Sequence, residues 1–74
     1  MSVRERKERE RLARRETILA AAAQVFAAHG VDGATVEMVA RQAEVAVGTI
    51  YLYFSSRDDL FVSLMAERIG GLRA

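Results

Sequence analysis

Residues 45–54, VAVGTIYLYF, constrain this chain more than any other stretch. In a sequence that is 28% charged, these ten residues carry no charge and hold three of the five aromatic side chains. β-Branched and aromatic residues of this kind favour extended strands. A lone strand leaves its backbone donors and acceptors unpaired, and no second stretch of the 74 residues offers a convincing strand pattern. The segment is therefore predicted to be helical, with tertiary packing overriding local preference. Ile50 and Phe54, four apart, form its core-facing pair, and Val45 stands near the turn before them. Val47, Gly48, Thr49, Tyr51, Leu52 and Tyr53 are left with no obvious core to join.

The flanking sequence is helical by period. Ile18, Ala22, Val25, Phe26 and His29 recur at helical spacing, which predicts one amphipathic helix near 11–28, ended by Gly30 in a left-handed C′ position. His29 in the last turn reads as a partner of the helix dipole. VDGA reads as a loop. Thr35 then caps a second, two-turn helix with Val36, Val39, Ala40 and Ala43 on one face. Ser56 followed by Asp59 resembles a capping box, and Leu60, Phe61, Leu64 and Ile69 mark the stripe of a last helix that Gly70 and Gly71 weaken or end. Met38 and Met65 read as ordinary fill.

Size and composition narrow what such helices can do. Setting aside a charged amino terminus leaves one domain of about 60 residues, which buries about 60% of its unfolded surface. With no cysteine and a single histidine, neither a disulfide nor a metal site of the usual kind is expected, and a reducing compartment such as cytoplasm is permitted. No nucleophile and base, metal cluster or phosphate-cradling loop can be assembled, so no catalytic residue and no cofactor is expected, and the chain reads as a non-enzyme. A signal peptide is not expected, because Gln24 and the upstream acidic residues interrupt its pattern. No apolar run approaches the roughly 18 residues a membrane span needs.

The charge is unevenly placed. Residues 1–16 hold seven basic and four acidic side chains, which leaves a slightly acidic body behind a basic arm. Residues 1–14 are expected to be flexible, with 15–74 as the folded unit. The alternating signs, with Glu5 and Arg9 or Glu10 and Arg14 four apart, suit a solvated helix end, and the net excess suits contact with nucleic acid.

Two short helices separated by AEVA make a helix-turn-helix, in which the second helix enters the major groove of DNA. Ala40 allows the helices to cross and Val45 anchors the turn. No carboxylate lies between Val45 and Ser56 to repel phosphates. Gly48 lets a backbone approach closely, and the hydroxyls of Tyr51 and Tyr53 can donate to phosphate oxygens. The competing reading is a small helical interaction module that docks its apolar 45–54 segment on a protein partner.

The ordered set T-V-E-M-V-A-R-Q-A-E-V-A-V-G-T-I-Y-L-Y-F-S-S-R-D-D-L resembles the amino-terminal DNA-binding domain of the tetracycline-repressor (TetR) family of bacterial transcriptional regulators, over residues 15–66. The resemblance rests on Thr35, Val39 and Ala40, on Gly48 followed by Ile50 and Tyr51, and on Phe54, Arg57, Asp59 and Leu60. It implies an all-α, homeodomain-like bundle of three to four helices that binds double-stranded DNA sequence-specifically. By that resemblance Val47, Gly48, Thr49 and Leu52 face base edges and Tyr51 bridges bases and backbone. Thr35, Tyr53 and Arg57 hold phosphates, and Val47 and Leu52 suggest apolar contact with thymine methyl groups. It further implies a cytoplasmic, ligand-responsive repressor that dimerises through a carboxy-terminal domain absent from this chain, where the small-molecule effector also binds. Three positions depart from the family pattern: Glu44 replaces the usual turn glycine, Ala46 the usual capping Ser or Thr, and Tyr53 the common His.

Overall fold

The computed structural model describes the backbone of residues 2–73 and the side chains of residues 2–67. Its helices are α1 (Val3–Gly33), α2 (Val36–Ala43), α3 (Val47–Tyr53) and α4 (Arg57–Arg73), and no strand occurs among the described residues. The all-α expectation holds, and the strand-like 45–54 segment supplies a helix. Once one face of the segment is buried in the common core, its backbone bonds close within the helix and no second strand is needed.

α1 begins much earlier than the apolar period predicts. Ser2 caps it by accepting from the Glu5 amide at 3.2 Å. Arg6 and Glu10 pair at 3.9 Å, and Arg11 and Glu8 at 2.6 Å, on the surface of its first turns. Glu, Lys and Arg are good helix formers, and oppositely charged pairs three or four residues apart support a helix. Residues 3–14, which the charge pattern assigns to an arm, are thus continuous with the helix that packs the core. At the other end Gly30 breaks α1 with φ 77° and ψ 169°, a positive φ as expected but with an extended ψ. Residues 31–33, expected as loop, form one more turn, closed by the Ala34 amide on the Gly30 carbonyl at 3.1 Å. His29 shares the apolar spacing yet is exposed.

The core gathers Ile18, Leu19, Ala22, Val25 and Phe26 from α1, Val36, Val39 and Ala40 from α2, Ile50 and Phe54 from α3 and its end, and Leu60 and Leu64 from α4. Ile18, Val39, Ile50 and Leu60 are essentially inaccessible, and each such aliphatic side chain contributes about 1.5–3 kcal/mol by leaving water. Phe26 and Phe61 join α1 to α4 with ring centroids 5.0 Å apart at 48°. One expectation needs correcting here. Val47 and Tyr53 do find a core, because they flank Ile50 and Phe54 on the helix and pack partly against it.

α4 starts with a cap shifted by one residue from the usual box. The Asp59 amide donates to Ser56 Oγ at 3.0 Å, while the Asp59 carboxylate accepts from the Ser55 amide at 2.8 Å. The helix continues through Gly70 and Gly71 to Arg73. The expected place of Ile69 in the buried stripe lies outside the described side chains.

Candidate nucleic-acid interface

The turn between α2 and α3 is built without the glycine it would ordinarily use. Glu44 takes a left-handed conformation, φ 60° and ψ 43°, which costs a residue with a Cβ about 1 kcal/mol or more. The bonds that this conformation allows offset the strain. The Val45 amide reaches the Ala40 carbonyl at 2.9 Å and the Glu44 amide the Arg41 carbonyl at 3.2 Å, the pairing of a Schellman motif. Val45, the residue after the turn, packs partly against the core, which supplies the apolar contact that usually accompanies this motif. The turn thus closes its bonds with Glu44 in the left-handed position. Ala46 then opens α3 with no side-chain capping bond, as its identity dictates.

α3 turns Ile50 inward, with Val47 and Tyr53 at its sides, and leaves the opposite face uncovered. Tyr51 is 50% and Leu52 82% exposed on that face, Gly48 is exposed, and Thr49 is intermediate at its edge. A Cβ added at Gly48 would meet nothing within 4 Å, so no packing within the fold calls for glycine there. Glycine in a helix costs about 0.5–1 kcal/mol relative to Ala. Of the residues expected at base edges, the structure places Gly48, Tyr51 and Leu52 together, Thr49 beside them, and Val47 half-buried at the margin.

Thr35 is the cap of α2, its Oγ1 accepting from the Met38 amide at 3.1 Å, and it is exposed. Its hydroxyl hydrogen remains a donor toward solvent. Arg57 lies half-buried at the start of α4. Its Nη1 donates to the Ala34 carbonyl at 3.2 Å and also to the Val31 carbonyl, while Nη2 stands 3.6 Å from Asp58 Oδ1. The guanidinium thus clamps the segment that leads into Thr35. Spacing could not disclose this bond, because 23 residues separate its ends.

Two further ties escape sequence reasoning for the same reason. Arg15 lies over the Phe54 ring, 5.2 Å from its centroid, and pairs with Glu67 at 2.5 Å, bracing the end of α3 against α1 and α4. Gln42 donates to Gln24 at 2.7 Å, bracing α2 against α1. The docking alternative loses two of its apolar side chains to the core, since Ile50 and Phe54 are only 1% and 2% exposed. Among the described residues no group of His, Cys, Asp or Glu is placed to hold a metal ion, and no helix is long and apolar enough to cross a membrane.

Comparison with known proteins agrees with this geometry. Residues 18–64 match the model of bacterial regulatory proteins of the tetR family. The chain is 45% identical over 53 residues to the fatty acid metabolism regulator protein of Bacillus subtilis, covering 72% of this chain and 27% of that one. It is 39% identical over 54 residues to the HTH-type transcriptional repressor AcnR of Corynebacterium diphtheriae, covering 73% and 28%. The solved structure of the fatty acid degradation regulator FadR from Bacillus halodurans matches with TM-score 0.72 and 47% identity over 74% of this chain and 30% of that one. The chain thus spans less than a third of the length of these relatives. It belongs to the tetR family of bacterial regulatory proteins and is the DNA-binding helix-turn-helix domain of a transcriptional regulator.

Proposed function

We propose that α3 enters the major groove of duplex DNA with Gly48, Thr49, Tyr51 and Leu52 toward base edges and the exposed part of Val47 at the groove wall. Thr35 and Tyr53 reach flanking phosphates. Arg57 fixes the entry to α2 through Nη1 and offers the rest of its fork to a phosphate. The observation that carries this reading is Gly48: it is exposed, unneeded for packing and set between Tyr51 and Leu52, so its missing side chain gains meaning only when another molecule comes close. Leu52, the most exposed residue of that face, is suited to a thymine methyl group.

The DNA-binding unit comprises residues 15–74, preceded by the basic segment 1–14. In the parent protein a further domain binds a small effector and joins two copies, and the whole acts as a ligand-responsive repressor in the bacterial cytoplasm. Two recognition helices would then meet DNA about 34 Å apart. An effector releases DNA only by binding better to an arrangement that breaks this spacing. The chain has no catalytic role in this account.

Fluorescence anisotropy of a labelled mixed-sequence duplex across a salt series tests the DNA reading. Phosphate contacts predict a log–log slope of about −0.9 for each phosphate engaged, so three contacts give about −2.7. Binding indifferent to salt would point instead to the apolar docking module.

A further inference from the structure

Lys7, Arg11 and Arg14 occupy the same helical stripe of α1 as Ile18, Ala22 and Val25, and Arg4 begins it. The spacing runs 4, 7, 11, 14, 18, 22, 25, always in steps of three or four, so one face of a continuous helix changes from basic to apolar between Arg14 and Ile18. Ile18 is fully buried by the other helices, whereas Arg4, Lys7, Arg11 and Arg14 are all exposed. The stripe that faces the body along the core therefore faces open space beyond it.

One shared depression fixes what that open space adjoins. Glu10, Ala13, Arg14 and Thr17 line it together with Val45, the turn residue that leads into α3. The basic stripe thus emerges beside the turn that leads into the recognition helix. From Ile18 to Arg4 the helix rises about 21 Å at 1.5 Å per residue. That exceeds the major-groove width of about 12 Å, so the stripe outreaches the groove that α3 would occupy.

We infer that Arg4, Lys7 and Arg14, on the body-facing stripe of the amino-terminal turns of α1, form a second DNA-contacting surface that engages sugar–phosphate backbone flanking the groove occupied by α3. This inference rests on the proposed groove-binding role of α3. Glu8 limits it, because its carboxylate occupies Arg11 at 2.6 Å. Phosphate contacts position a protein without reading sequence, and Arg, Lys and Gln have similar helix propensities, so neutralising these residues changes DNA contact without unwinding the helix.

The test compares the 74-residue chain with two double variants in the salt dependence of duplex binding. Arg4→Gln with Lys7→Gln removes charge from the stripe, and Arg6→Gln with Arg9→Gln removes equal charge from the opposite side of the same turns. The stripe variant is expected to make the log–log slope shallower by about 1.8, and the opposite-face variant by well under one, the difference reflecting contact rather than net charge. Glu8→Gln is expected to bind more tightly, as it releases Arg11. Equal slopes for the two double variants, or a stripe variant that matches the wild type while the wild type binds with a salt-dependent slope, would overturn the inference and leave the α3 reading standing. A wild type that does not bind duplex at all overturns both.

Discussion

Arg57 Nη1 donates to the Ala34 carbonyl at 3.2 Å, so the first residue of α4 holds the residue immediately before the cap of α2. Thr35 is thereby positioned from across the fold by a residue 22 places away in sequence. A rigid link of this kind matters in a DNA-binding domain, because phosphate donors act only when they arrive at the backbone together.

Arg57→Ala should therefore act twice. Loss of the carbonyl bonds is expected to cost about 1.5 kcal/mol of stability, at the low end for charged hydrogen bonds because the side chain is part-exposed. Duplex binding should weaken about equally for all sequences, with a salt slope shallower by about one. Thermal denaturation and anisotropy on the same sample check both. An unchanged melting temperature would contradict the clamp, and an unchanged slope would contradict the phosphate contact.

Gly48→Ala separates folding from function. Since a Cβ there meets nothing, the substitution should stabilise the helix by about 0.5 kcal/mol, raising the melting temperature by about 3 °C. The added methyl group would stand where DNA approaches, and an affinity loss of about tenfold or more is expected, the equivalent of about 1.4 kcal/mol. A variant that is more stable and binds DNA as before would leave Gly48 without a role.

The turn invites the reverse experiment, since the structure pays for two non-consensus residues there. Glu44→Gly relieves the left-handed strain at φ 60° and should stabilise by about 1 kcal/mol. Ala46→Ser adds the missing cap of α3 and should contribute about 1 kcal/mol more. Chemical denaturation of the single variants measures each directly, with the midpoint rising while the denaturant slope stays fixed.

These residues also show where the sequence was readable. The helices α2 and α4 and the core stripes through Ile18, Val39 and Leu60 follow from period and capping, which are local signals, whereas α3 follows from the lack of a partner strand and the turn at Glu44 from the family resemblance. The start of α1 leaves no such trace, because apolar period is silent in a charged segment whose helix rests on Ser2 and on ion pairs. The half-burial of Val47 and Tyr53 depends on how α3 seats on the core, and the clamps of Arg15 and Arg57 join residues far apart in the chain. None of these leaves a periodic trace. The exposed set of Gly48, Tyr51 and Leu52 was legible as the residues that no core claimed.

Glu8 offers a titration that reports on the amino-terminal turns. The hydrogen bond from Arg11, and then its charge, hold the Glu8 carboxyl below the ordinary carboxylate range. A carboxyl lowered in the folded state supports that state above its unfolded value, and the support is lost as pH falls through the lowered folded value. Carbon-detected NMR titration should find Glu8 titrating below the ordinary carboxylate range, and Arg11→Gln should raise it. A Glu8 value that Arg11→Gln leaves unchanged would contradict the ion pair.

The most direct measurement is the change in amide NMR shifts on adding a mixed-sequence 20-base-pair duplex at low salt, followed by raising the salt. Shifts concentrated on Thr35, Gly48 to Tyr53 and Arg57 that reverse as salt rises are the expected result. Amides of α3 that stay unmoved while the chain remains folded would contradict groove binding by α3.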